Sequence, residues 1–442
     1  MKNNMVLRLK TDKGQQKNLM QDVFLLRENP FRQAQIYNPD TPGTYVPEMY
    51  GDQLEAFYKR FFILPLTKAD NRQVIGAIWS SHTGDATGKG FGKTMLMAEE
   101  SKRINNDFGA SMMSHMGVVD EDIAPNPILA GYCTFLQAAE IKTFPAALLD
   151  AVTFILESKH GEGTVHEALR LRIIERISAP EGYEGETIEA ALRAKIREFR
   201  SLNIQLNHKT VERFISLLAA GNTSLLVDFI RREIGPRIKA SQGFNFVHVF
   251  NAFIAVAGIG YVVYFIDQIE NFARWVRAGD REIKILRESM CQTAPTCNMA
   301  SFIFQMHIRA QEAIEDWWTS EHLPSLDSSK KINETRTIDL QGLKRDQEAR
   351  QLAARYLQDY RMPKAKPPVP LHPFSDEIIE TVRQAAKGNP RNFLRTLGDI
   401  LDHAVNDNQS RIDLTFIQPL LDAGYDDAPE TTEDDDFTNP ER

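Results

Sequence analysis

The sequence predicts an α/β fold: a parallel sheet flanked by helices, interrupted by a large helical insertion and followed by a C-terminal helical region. Three observations carry this. Short apolar runs rich in β-branched and aromatic residues, VIGAIWSS (74–81), YVVYFID (261–267) and NMASFIFQMH (298–307), read as buried strands. Between them, apolar residues recur at the helical period, as in EALRLRIIERI and VERFISLLAAG. The glycine-rich stretch TGKGFGKT (87–94) separates the first apolar run from a predicted helix over 94–105.

Taken in order, residues 1–73 form an N-terminal region with proline-marked turns (NPFRQ, NPDTPGTYVPEM) and an amphipathic helix near Gln53 to Phe62. A core domain follows over 74–325. Residues 111–119 are its expected second strand, and 126–245 read as an almost wholly helical insertion. The stretch 246–266 is long enough to cross a bilayer. It contains His248 and Asn251 and turns β-branched after Gly258 and Gly260, so it divides into a buried helix and a buried strand. A polar linker, LPSLDSSKKINETRT, leads to a helical domain over 335–425. No internal repeat is present.

The formal net charge is -8, concentrated at one end. Eight carboxylates against one arginine lie between Asp426 and Arg442, so the body is close to neutral. That tail is poor in apolar residues and reads as disordered. Cys133, Cys291 and Cys297 match no zinc spacing and read as reduced thiols, and the N-terminus lacks the apolar core of a signal peptide. A cytoplasmic protein is the expectation.

TGKGFGKT nearly fits G-x-x-x-x-G-K-[ST], with Thr87 at the first glycine position. Such a loop turns consecutive backbone N–H groups onto phosphates, and the following helix adds the positive end of its dipole. Gly88, Gly90 and Gly92 permit the backbone path, with Lys89, Phe91 and Met95 completing the segment. Lys93 would reach the β- and γ-phosphates, and Thr94 would offer a hydroxyl to Mg²⁺. YVVYFIDQIE places Asp267 at a buried strand's carboxyl end, where a carboxylate can hold the same Mg²⁺. The residue after Asp267 bears on hydrolysis. A glutamate there would take a proton from the attacking water, but Gln268 can only orient it. Either Glu270 takes that role or turnover is slow.

These segments resemble the AAA+ superfamily of P-loop NTPases, and more narrowly its origin-recognition and STAND-type branch, which includes prokaryotic DNA-transaction and phage-defence ATPases such as the BREX accessory group. The resemblance spans roughly 20–425. It implies that Asn29-Pro30-Phe31 lies over the adenine. Gln305 or His307 would be the first sensor residue. The segments IDLQGLKRDQEARQLAARYLQDYR and HPFSDEIIETVRQAAKGNPRNFLRTLGDILDHA resemble the helical lid, whose GNPR gives Arg391 as a second sensor of the γ-phosphate. Family members act as oligomers with an arginine supplied by a neighbour. Arg287, among Arg274, Arg277 and Arg281, is the candidate. The implied function is an ATPase with ATP and Mg²⁺ as ligands, coupling nucleotide state to partner assembly. The alternative is an ATP-gated switch that does not hydrolyse.

One asymmetry concerns nucleic acid. Residues 191–240 hold ten Lys/Arg against four Asp/Glu, including Arg193, Lys195, Arg197, Arg200, Arg231, Arg232, Arg237 and Lys239. They form either a face for double-stranded DNA or a solvated helical face.

Overall fold

A computed structural model describes residues 9–10, 16–32, 45–67, 75–80, 90–118, 126–134, 144–179, 187–198, 208–234, 240–268, 299–305 and 337–422. It divides into two compact units. One comprises Met1–Asp52, Ser80–Met95 and Leu340–Arg442, and the other Gln53–Trp79 and Leu96–Asp339.

The second unit is built on five parallel strands: β1 (Ile75–Trp79), β2 (Ile128–Thr134), β3 (Tyr261–Asp267), β4 (Ala300–Gln305) and β5 (Thr337–Asp339), in the order β2-β3-β4-β1-β5. With helices against it, this is a P-loop NTPase-like architecture. All described strand positions of β3 and β4 are buried, as a sheet covered on both faces requires.

Alternation sorts the side chains. Leu129 and Cys133 of β2, Val262, Tyr264 and Ile266 of β3, and Phe302 and Phe304 of β4 share one core with the helices of the insertion. Those helices are α2 (Phe144–Glu157), α3 (Val165–Ser178), α4 (Ile188–Glu198), α5 (Lys209–Ala220) and α6 (Ala240–Val256), preceded along the chain by α1 (Lys93–Asp107). On the opposite face Phe265 stacks on Phe57 at 5.3 Å, with Phe61 and Phe62 beside it. Asn105 of α1 exchanges hydrogen bonds with the Ala130 backbone on that sheet. The insertion is therefore the sheet's own helical layer.

The second strand differs from expectation. Residues 110–115 are helical, started by Gly109 at φ 84 and by Asp107, whose carboxylate accepts from the N–H groups of Gly109 and Ser111. The strand lies at Ile128–Thr134, inside the stretch expected to be helical. A seven-residue apolar run does not declare its period. Here Gly131 decides: a Cβ there would lie 3.0 Å from the Ala151 carbonyl, so glycine permits close packing on α2. Thr337–Asp339, expected in the helical domain, is instead the edge strand β5. The 246–266 stretch divides as expected into α6 and β3, and no helix among the described residues is long and apolar enough to cross a membrane.

The first unit contains α7 (Asp346–Asp359), α8 (Asp376–Ala385), α9 (Pro390–Asn406) and α10 (Leu414–Asp422). N-terminal residues are woven into these helices. Arg361 donates to the carbonyls of Phe24 and Pro370, and Asn29 Nδ2 donates to Gly398 O at 2.8 Å and Asp402 Oδ1 at 3.0 Å. These bonds explain why segments far apart in sequence fold as one body.

Candidate nucleotide site

The carboxyl ends of the strands end level. Thr134 pairs with Asp267, Ile266 with Phe304, Ile78 with Gln305 and Trp79 with Asp339, which puts Asp267 abreast of Gln305. The connection leaving β1 leads to the far edge strand β2, whereas those leaving β2, β3 and β4 lead the other way. The adjacent carboxyl ends of β1 and β4 are thus a topological switch point, where open α/β sheets bind ligands.

Asp267 is fully buried, and its Oδ2 accepts from Tyr132 Oη at 2.9 Å. Gln268 has φ 58, in the left-handed region that non-glycine residues avoid. Its N–H donates to Gln305 Oε1 at 2.9 Å. Gln305, the last residue of β4, thereby holds the strained turn after Asp267. Strain of this kind clusters where backbone geometry serves a site. Of the two residues considered as first sensor, Gln305 is described here, while His307 lies outside the described residues, as do Glu270 and the arginine-finger candidate Arg287. Cys133 on β2 is buried, and burial pushes its thiol up, with the Asp150 and Asp267 carboxylates adding to this.

In the first unit lies the second half of the glycine loop. Thr87, Gly88 and Lys89 fall outside the described residues. Gly90 and Gly92 have φ 83 and φ 77, which L side chains resist. Phe91 between them is buried. Two segments grip the loop by its backbone. Tyr50 Oη donates to Gly92 O at 2.9 Å, and the Arg391 N–H donates to Gly90 O at 3.2 Å. Contact is close: a Cβ on Gly90 would lie 2.8 Å from Arg391 Cβ and from Asn389 Oδ1.

The GNPR segment is the turn that enters α9. Gly388 has φ 73, the Asn389 side chain caps the N–H groups of Arg391 and Asn392, and Pro390 takes the first helical position. Arg391 is exposed and sits beside the loop. It lies at the positive end of a helix, where a cation is disfavoured unless an anion joins it. Lys93 is buried and opens α1, with Thr94 and Met95 half-buried behind it. Pro30 and Phe31 are both buried. The Phe31 ring packs on Tyr356 at 6.0 Å and Phe374 at 6.2 Å, in the core of the unit rather than on an open face.

The basic residues of the insertion are largely paired. Arg193 meets Glu212 at 2.7 Å and Glu189 at 3.3 Å, Lys195 meets Glu198 at 2.6 Å, Arg231 meets Glu157 at 2.7 Å and Arg232 meets Asp228 at 3.5 Å. Arg197 is exposed, and Arg200, Arg237 and Lys239 lie outside the described residues. What is described has the character of a solvated, salt-bridged helical face.

Sequence reading missed Tyr132. Its only signal is register, because the diagonal neighbour of a strand-end Asp becomes visible once the two strands are aligned.

No protein-family model matches the chain. No curated protein matches it either. Among solved structures, the chain is similar to the Aeropyrum pernix ORC2 protein in its ADPNP–ADP complexes, at 10% identity and a TM-score of 0.45, over 90% of this chain and 72% of that one. It is also similar to the ADP form of that protein, at 10% identity and a TM-score of 0.44, over 90% and 73%.

Proposed function

We propose that the chain is an AAA+-type ATP-binding protein and ATPase. The carrying observation is the switch point itself, where the glycine loop follows β1 while Asp267 and Gln305 stand level at the carboxyl ends of β3 and β4. In this reading Lys93 and the N–H groups of residues 87–94 bind the phosphates, and Arg391 reports the γ-phosphate. The family resemblance implies that the Thr94 hydroxyl and the Asp267 carboxylate, both hard oxygen donors, would hold Mg²⁺; among the described residues no cluster of three or more His, Cys, Asp or Glu offers a different metal centre. When bound, Mg²⁺ supplies neutralisation of phosphate charge. Positioning and electrostatics carry phosphoryl chemistry of this kind.

A second reading, an ATP-gated switch with little hydrolysis, is favoured by Gln268. Its amide cannot accept the proton of an attacking water. Its backbone is fixed in a left-handed turn by Gln305. Oligomer formation and a role in DNA transactions or phage defence rest on the family resemblance, as does the adenine role of Pro30 and Phe31, and action in the cytoplasm rests on reading the cysteines as reduced thiols.

Equilibrium binding of a fluorescent ATP analogue and steady-state turnover test the proposal together. Binding lost in Lys93→Ala supports the nucleotide site, and absence of binding in the native chain refutes it. Negligible native turnover that rises in Gln268→Glu selects the switch.

A further inference from the structure

We propose that Tyr50 is a positioning residue for phosphate binding: its hydroxyl latches the Gly92 carbonyl and thereby holds the glycine loop in the shape that turns backbone N–H groups onto a phosphate. This rests on the nucleotide reading above.

The residues concerned all lie in the first unit. Gly90 and Gly92 have φ 83 and φ 77, whereas Phe91 between them is outside that positive-φ region. A backbone that alternates in hand in this way gathers its N–H groups on one side, an arrangement that binds anions. In a planar trans peptide the carbonyl and the following N–H point to opposite sides. Fixing a carbonyl therefore aims the next N–H. Two carbonyls are fixed here, Gly90 O by the Arg391 N–H at 3.2 Å and Gly92 O by Tyr50 Oη at 2.9 Å. The N–H of Phe91 and that of Lys93, which opens α1, are thus turned away from these two holders.

Of the holders, only Tyr50 acts through its side chain. It ends a short turn, Pro47–Tyr50, whose next residue, Gly51, has φ 49 and lies close against Arg345 and Glu348 at the start of α7. Tyr50 is buried, and its phenol approaches so closely that a Cβ on Gly92 would lie 2.6 Å from Oη. Glycines give the loop its path but also leave it many others. A ligand that needs one shape binds more weakly in proportion to the time the loop spends in the rest. The Tyr50 bond raises the share of loop already set for phosphate, which is where a phenol remote from the chemistry gains an effect on affinity.

The test uses the full chain with a bound fluorescent ATP analogue, displaced by ADP, by inorganic tripolyphosphate and by adenosine. EDTA is present, so that no cation carries the phosphate contact. Tyr50→Phe removes the donor and keeps the ring. It weakens inhibition by ADP and by tripolyphosphate about 5-fold, the size of one net hydrogen bond, and leaves adenosine unchanged. 4-Aminophenylalanine in place of Tyr50 restores an N–H donor of the same reach and brings both constants back towards the native ones. Urea unfolding checks the fold of each variant; should Tyr50→Phe not fold, Tyr50→Met, a hydroxyl-free side chain that adapts to the space, takes its place. Constants for ADP and adenosine that weaken together, or none that moves, overturn the inference and leave the nucleotide site standing. A loss that 4-aminophenylalanine does not reverse also overturns it, as does tripolyphosphate that fails to displace the analogue from the native chain. A native chain that binds no analogue overturns the nucleotide reading and this inference with it.

Discussion

Gly90→Ala tests whether the glycine loop is held by the turn that enters α9. Two penalties add. An alanine at φ 83 costs about 1–2 kcal/mol relative to glycine. Its Cβ would also lie 2.8 Å from both Arg391 Cβ and Asn389 Oδ1, closer than real Cβ atoms tolerate, and Asn389 is the cap of α9 and cannot retreat without releasing two N–H groups. Overpacking of this kind costs about 1–3 kcal/mol. The total is about 2–5 kcal/mol, or a loop displaced from the turn. Gly161→Ala isolates the first penalty, because Gly161 has φ 56 with nothing within 4 Å of an added Cβ. Urea unfolding of both variants, with ATP-analogue binding measured in parallel, gives the comparison. We expect Gly90→Ala to lose about 1–3 kcal/mol more than Gly161→Ala, or to lose analogue binding where Gly161→Ala does not. Equal stability losses with analogue binding retained in both would refute the contact between loop and turn.

Two further outcomes are expected. Arg391→Ala keeps the backbone N–H that bonds Gly90 O, and the contacts of an exposed arginine are worth at most about 1 kcal/mol, so the fold should persist. Preference for ATP over ADP should fall by about 10-fold, since a charge-assisted phosphate contact is lost; competition binding checks this, and equal losses for both nucleotides would contradict the sensor reading. His166 gives a pH dependence. Burial holds its imidazole below the ordinary value of 6.5, more strongly than its bond to the Leu218 carbonyl raises it, with smaller effects from Arg170 (lowering) and Glu167 (raising). The unfolded chain then takes the proton first, so this contribution is full above about pH 6.5 and is lost as pH falls below it. Urea unfolding at pH 7.5, 6.5 and 5.5 should show that decline, and His166→Gln should flatten it.

Much of the sheet was legible because β1, β3 and β4 are runs of β-branched and aromatic residues bounded by glycine or polar segments. The β2 run, ILAGYCT, carries a glycine whose purpose is the approach of Ala151, a residue twenty positions away that no local pattern reveals. β5 is three residues long and exists because Trp79 offers it a ladder partner. Asp267 at the end of β3 and Arg391 in the first turn of α9 were expected at those element ends from local patterns, and the structure has them there. Tyr132 was not, since its partner lies 135 residues away. Phe31 shows the same limit. Its ring packs on Tyr356 and Phe374, and the sequence alone shows neither of these partners, which lie more than 300 residues away.

The paired arginines of the insertion change what a salt titration would mean. A polyanion that binds unpaired cations releases one condensed counterion for nearly every contact, and its affinity falls steeply with added salt. Arg193, Arg231 and Arg232 already face carboxylates. A phosphate reaching them must displace an internal anion, and the freed carboxylate recruits ions from solution. Counting basic residues in this segment would therefore overstate the salt slope, and a shallow slope would report exchange of partners within the protein rather than a small contact area.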